Sequence, residues 1–133
     1  MRNNREYQIC QNIAIYLRLQ YPDVIFHFDL AGLNLSRSQA GMMKAIQGGR
    51  GWPDLFIAQR SNNFPDDSYE GLFIEVKKEG TNILNKSGKP STPHIAEQQE
   101  CMAKLAERGY FCAFAVGWDA AKQTIDDYLQ GKF

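Results

Sequence analysis

Apolar positions along the chain switch repeatedly between the period of a helix and that of a strand. Glu6, Cys10, Ile13 and Leu17 fall on one face of a helix predicted over 5–20, and Tyr21-Pro22 closes it. "VIFHFDL" (24–30) predicts a strand. Residues 31–51, rich in Gly, Ser and Gln, predict a loop with a short helix around 38–46. "PDLFIAQ" (53–59) and "LFIEVKK" (72–78) predict two more strands, joined by the turn-forming segment 60–71. After a loop at 79–92, Thr92 and Pro93 have the chemistry of an N-cap and first helical position, opening a helix to about 108. Its stripe is Ile95, Gln98, Met102 and Leu105, and Gly109 closes it. "YFCAFAV" (110–116) predicts a buried strand, and Asp119 caps a last helix to Leu129 with the stripe Ala121, Ile125, Tyr128 and Leu129. The order α-β-β-β-α-β-α predicts an α/β sandwich around one mixed sheet, and 133 residues suffice for one such domain, 1–133, but not for two.

Charge interrupts two of these strands. Residues two apart in a strand share a face, so Glu75 and Lys77 project together while Ile74 and Val76 face the other way. If the strand beginning at Pro53-Asp54 pairs beside them, Asp54 reaches the same place. Two carboxylates at one point repel unless a cation lies between them. Mg²⁺ or Mn²⁺ suits oxygen donors, and the Val76 carbonyl can add one more. Such an ion polarises a phosphodiester and acidifies water. Lys77 would orient or deprotonate that water, or offset charge in the transition state. The combination is the equipment of metal-assisted phosphodiester hydrolysis. Taken singly, an E-x-K pair or a Pro-Asp dipeptide is commonplace on exposed strands and turns.

Composition narrows the setting. The chain is 44% hydrophobic and 23% charged, ordinary for a folded domain. No apolar run reaches the length of a membrane span, and the polar N-terminus does not read as a signal peptide. Cys10, Cys101 and Cys112 are odd in number and scattered, with no C-x-x-C pair, so a reducing, cytoplasmic setting is the simplest expectation. With only His27 and His94 in support, a structural zinc site is not expected, and both histidines read as structural or surface residues. Net charge is +0, but its distribution is uneven. Residues 31–52 hold Arg37, Lys44 and Arg50 without an acid, and 77–92 hold Lys77, Lys78, Lys86 and Lys89 against Glu79 alone. Arg37, Lys44, Arg50, Lys78, Lys86 and Lys89 are therefore candidate phosphate contacts, although solvated loops of this charge are equally common. Trp52 and Trp118 read as core or edge packing, with stacking on a splayed base the alternative for Trp52 because it lies beside the site.

"GGRGWPDLFIA…GLFIEVKK" resembles the active-site signature of the PD-(D/E)XK nuclease superfamily, and more closely the virus-type replication-repair nuclease (VRR-NUC) domain, including its small stand-alone phage and bacterial members. That family carries a glycine-rich turn before its Pro-Asp, as Gly48, Gly49 and Gly51 do here. The resemblance also extends to a glutamate in the first helix, Glu6, a glutamine after the lysine strand, Gln98, and a Gly-aromatic pair, Gly109-Tyr110. It implies a restriction-endonuclease-like α/β/α sandwich and a Mg²⁺- or Mn²⁺-dependent deoxyribonuclease with metal ligands Glu6, Asp54, Glu75 and Val76. Asp54, Glu75, Lys77 and Gln98 would form the catalytic group, with Gln99 the other candidate for the glutamine. It further implies a homodimer acting on branched DNA, of Holliday-junction or flap type, in a bacterial cytoplasm or phage-infected cell. A catalytically silent nucleic-acid-binding module and a sequence-reading restriction-type nuclease are the alternatives.

Overall fold

The computed structural model describes residues 4–29, 35–61 and 68–132. Three of its helices and all four strands arise where the hydrophobic pattern predicts them, with shorter strands. Helix α1 spans Asn4–Gln20 and strand β1 Phe26–Phe28. Next come α2 (Arg37–Ile46), β2 (Leu55–Ile57) and β3 (Leu72–Lys77). Helix α3 (Pro93–Glu107), β4 (Phe111–Val116) and α4 (Trp118–Gln130) complete the order. The short helix expected around 38–46 is a full element, so the sequence of elements is α-β-α-β-β-α-β-α rather than α-β-β-β-α-β-α.

The sheet runs β1-β2-β3-β4 and is mixed. β1 and β3 both pair antiparallel with β2, while β4 runs parallel to β3 after the α3 crossover. Alternation along β3 divides the molecule into layers. Ile74 and Val76, with Leu55, Ile57, Leu72 and Ala115, pack under Ile13 and Leu17 of α1 and Ile125 and Tyr128 of α4 in one core cluster. The opposite face carries Phe73, Glu75 and Lys77 and meets α3, whose Gln98 bonds to Glu75. Each fully buried aliphatic side chain contributes about 1.5–3 kcal/mol, enough for this core to hold charged groups against their tendency to return to water.

Local details follow from identifiable residues. Thr92 accepts from the Ile95 N–H at 3.1 Å and Pro93 occupies the first turn, as its chemistry predicts. Helix α4 starts one residue before Asp119, and its N-cap is Gly117, which has no side chain to offer; Asp119 lies in the first turn instead. β4 is less buried than its apolar sequence predicts, with only Ala115 fully enclosed, because it is the edge of the sheet. α2 is capped by a reciprocal Ser36–Gln39 pair yet buries none of its residues. Among the described residues, no helix is long and apolar enough to cross a membrane.

Candidate active site

The end of the β2–β3 ladder builds the site. Leu55 opposes Ile74, and there the backbone pairing stops. The next N–H that would need a partner, that of Val76, donates instead to Asp54 Oδ2 at 2.8 Å. Asp54 thus ends the ladder with its side chain and is fixed beside Glu75. The N–H and C=O of a strand residue point to the same side, so the Val76 carbonyl also faces the side that β2 has vacated.

Asp54, Glu75, Lys77 and Gln98 are all buried, at 8%, 4%, 7% and 4% exposure. Lys77 Nζ stands 3.5 Å from Glu75 Oε2 as an ion pair. Gln98 Nε2 donates to the same Glu75 oxygen at 2.8 Å and lies 3.1 Å from His94 Nε2. With one hydrogen given to Glu75, the second amide hydrogen faces His94, which accepts it when Nε2 is unprotonated. Gln99 is exposed, so the helical stripe selects Gln98 for the site. Glu6, half-buried at the start of α1, reaches past the end of β3 and accepts from the Lys78 N–H at 3.4 Å.

These groups line one open cavity of about 800 Å³, together with Lys44, Arg50 and Glu97. Of the six candidate phosphate contacts, Lys44 and Arg50 line the cavity, and Lys78 sits just beyond the end of β3. Arg37 begins α2, and Lys86 and Lys89 belong to a turn closed by Asn85; none of these three lines the cavity. His94, read from sequence as structural or surface, is exposed and lines the cavity; its signal was the four-residue spacing to Gln98. Asp29 also lines it and was missed. Its N–H donates to the Asp54 carbonyl at 2.8 Å, a contact that only the β1–β2 pairing creates.

The glycines before the site have different roles. Gly51 has φ of 80°, and a Cβ there would run into the Glu97 carbonyl and lie 2.9 Å from the Gln98 backbone nitrogen. The chain therefore passes close against α3 just before Asp54, and only glycine fits. Gly48 and Gly49 have open space around them and no such requirement.

Asp54 and Glu75 against Lys77 leave an excess of one negative charge in a buried setting. A hard divalent cation matches that charge and the oxygen donors. Among the described residues, no group of three or more His, Cys, Asp and Glu side chains is arranged to hold a metal by itself. Mg²⁺ does not require one, since it is commonly held by one or two carboxylates and keeps several waters. The pair Asp54 and Glu75 fits it on those terms.

A mixed sheet between helical layers, with an Asp-Glu-Lys group where the ladder of its central strands ends, is a restriction-endonuclease-like α/β/α arrangement. Among solved structures, the chain is similar to a VRR_NUC domain protein with a TM-score of 0.64 and 23% sequence identity, over 98% of this chain and 92% of that one. The fold of the chain is therefore the VRR-NUC fold. No family model and no curated protein sequence matches the chain.

Proposed function

We propose that this protein is a Mg²⁺- or Mn²⁺-dependent, structure-selective DNA endonuclease that hydrolyses phosphodiester bonds in branched DNA. The observation that carries this reading is the buried Asp54, Glu75 and Lys77 group at the wall of an open cavity. Burying ions costs several kcal/mol each, and such a cost beside a cavity is the mark of a functional site. The likeness in fold to a VRR_NUC domain protein supports the same reading.

Asp54 and Glu75 would hold the metal, with Glu6 on the same cavity wall and the Val76 carbonyl at the end of the β2–β3 ladder as the further oxygens. When bound, the ion supplies Lewis-acid polarisation of the phosphate and acidification of a water. Gln98 fixes the Glu75 carboxylate through its 2.8 Å bond, and His94 restrains the Gln98 amide in turn. Lys77 brings a cation to the phosphate oxygens as negative charge builds on them. A water oxygen bonds to phosphorus as its proton passes to solvent, the P–O ester bond on the far side breaks, and the departing oxygen takes a proton from a second water.

Lys44 and Arg50 at the cavity, with Arg37, Lys78, Lys86 and Lys89 farther out, would hold flanking phosphates. A symmetric junction needs two cuts, and a two-fold dimer supplies two sites, so we read the protein as a homodimer. The exposed helix α2, with Met42 67% and Ile46 80% exposed, agrees with an association of this kind. A DNA substrate, and cysteines that form no disulfide among the described residues, agree with a cytoplasmic setting. The test compares duplex, flap and four-way-junction DNA with Mn²⁺ or chelator. Cutting confined to branched DNA and lost with chelator is expected. Equal rates on plain duplex would remove structure selectivity, and cutting by a protein that sediments as a monomer at micromolar concentration would remove the dimer.

A further inference from the structure

A second cavity, of about 720 Å³, lies beside the first, between the Gln47–Arg50 segment and α3. Trp52 stands on the wall between them and lines both. It is 49% exposed, although Pro53 and Asp54 directly after it are buried. The ring is held in place. It meets Phe73 edge-to-face at 5.2 Å between centroids, and Phe73 stacks on Phe56 at 4.6 Å. Gly51, pressed on the α3 backbone, fixes the chain on the other side. A rigid aromatic surface thus faces solvent two residues from Asp54. Across the cavity are Cys101, Leu105, Lys104 and Arg108, with Arg50 at the boundary. Asp29, Glu97 and Glu100 also line it, Glu97 3.7 Å from Arg50 and Glu100 3.7 Å from Lys104.

We propose that this cavity is a nucleobase subsite, in which an unpaired base next to the scissile phosphate stacks on Trp52. The inference rests on the DNA reading above and adds the feature that would make the site prefer branched DNA. The volume lies in the range that encloses a small ligand. Trp52 with Leu105 and Cys101 offers a base a flat apolar surface. Arg50, Lys104 and Arg108 at the edge can turn to a phosphate, since the pairs that Arg50 and Lys104 make with Glu97 and Glu100 are exposed and weak. A base stacked in a duplex is held between its neighbours and must first be extruded, whereas an unpaired base at a flap or junction enters without breaking a pair. Trp52 and Arg50 line both cavities, and Trp52 precedes Asp54 by two residues, so a base stacked there would lie next to the cleaved linkage.

The test uses the intrinsic fluorescence of the wild-type protein and Trp52→Phe, titrated without divalent metal with a short single-stranded oligonucleotide and with its abasic counterpart. Trp118 is common to both proteins, so their difference reports Trp52. Base-containing DNA should quench the wild type but not Trp52→Phe, and abasic DNA should quench neither. Trp52→Ala should weaken single-strand binding by about ten- to a hundredfold, with Trp52→Phe retaining most of the affinity because it keeps a ring. Equal quenching of the wild type and Trp52→Phe would overturn the proposal. So would equal quenching by abasic DNA, or a failure of single strands to bind. The outcome is separable from the nuclease reading: base-dependent quenching without Mn²⁺-dependent cutting leaves the subsite and removes the nuclease, while cutting without such quenching does the reverse.

Discussion

Asp54 Oδ2 carries charge toward the cavity and also accepts the Val76 N–H at 2.8 Å, and a substitution can separate these roles. Asp54→Asn keeps an acceptor of nearly the same shape, so its melting temperature without metal should stay close to the wild-type value. Metal should distinguish the two proteins. Mn²⁺ at about a hundred times its dissociation constant stabilises a protein by about 2.7 kcal/mol, so the wild type should melt higher with Mn²⁺ and Asp54→Asn should not. An equal rise in both would show that the ion binds elsewhere. Gly51 gives a second residue-level prediction. Gly51→Ala should cost more than about 1 kcal/mol in urea unfolding, because φ is positive and α3 backbone occupies the space of the new methyl group. Gly49→Ala should stay within about 0.5 kcal/mol. Strand and helix periods made Asp54, Glu75, Lys77 and Gln98 legible in the sequence, because the first three are charges interrupting apolar strands and Gln98 is a polar residue on the apolar stripe of its helix. Asp29 was not legible, since its place depends on which strand pairs with β2.

Helices α1 and α4 are joined at the element scale by Asp126, which accepts from Tyr16 Oη at 2.6 Å, Tyr21 Oη at 2.8 Å and Lys122 Nζ at 2.8 Å. Burial alone would raise its pKa, but the bonds from Lys122, Tyr16 and Tyr21 outweigh that and hold it below the ordinary carboxylate value. Burial also pushes the Tyr21 hydroxyl up to about 12, so it remains a donor to Asp126 across the neutral range. A depressed pKa in the folded state gives stability that is present above the unfolded value of about 3.9 and lost as pH falls through the folded value. Asp126→Asn should therefore lower unfolding free energy by about 1.5–3 kcal/mol at pH 7, and the difference from wild type should shrink below about pH 4. A pH-independent difference would assign the loss to packing. Element boundaries show why some expectations shifted. β1 and β2 are three residues each because their pairing is limited to Phe26–Phe28 opposite Leu55–Ile57, although the apolar runs are longer. α2 formed through its Ser36–Gln39 capping box without burying a side chain, a local signal weaker than any apolar stripe.

At the scale of the whole molecule, the charge is balanced but its placement is not, with Lys44 and Arg50 over the acidic cavity. Removing one cation that neutralises a phosphate weakens the salt dependence of DNA binding. Arg50→Ala should therefore lower the slope of log affinity against log salt by about one, without changing which DNA structure is preferred. A changed preference would make Arg50 a selectivity element instead. The layered fold was legible from the alternation of helical and strand periods, and the site from two charged interruptions of apolar strands. The two adjoining cavities were not, because they lie between residues 47–52 and α3, a tertiary juxtaposition that no local pattern shows. The most direct measurement of the central claim is the single-turnover rate of cutting a four-way DNA junction by wild type and Asp54→Asn, with Mn²⁺ and with chelator. The wild type should cut with Mn²⁺ alone, and Asp54→Asn should lose at least about a hundredfold while junction binding persists. Cutting that survives chelator, or that proceeds equally in Asp54→Asn, would contradict that claim.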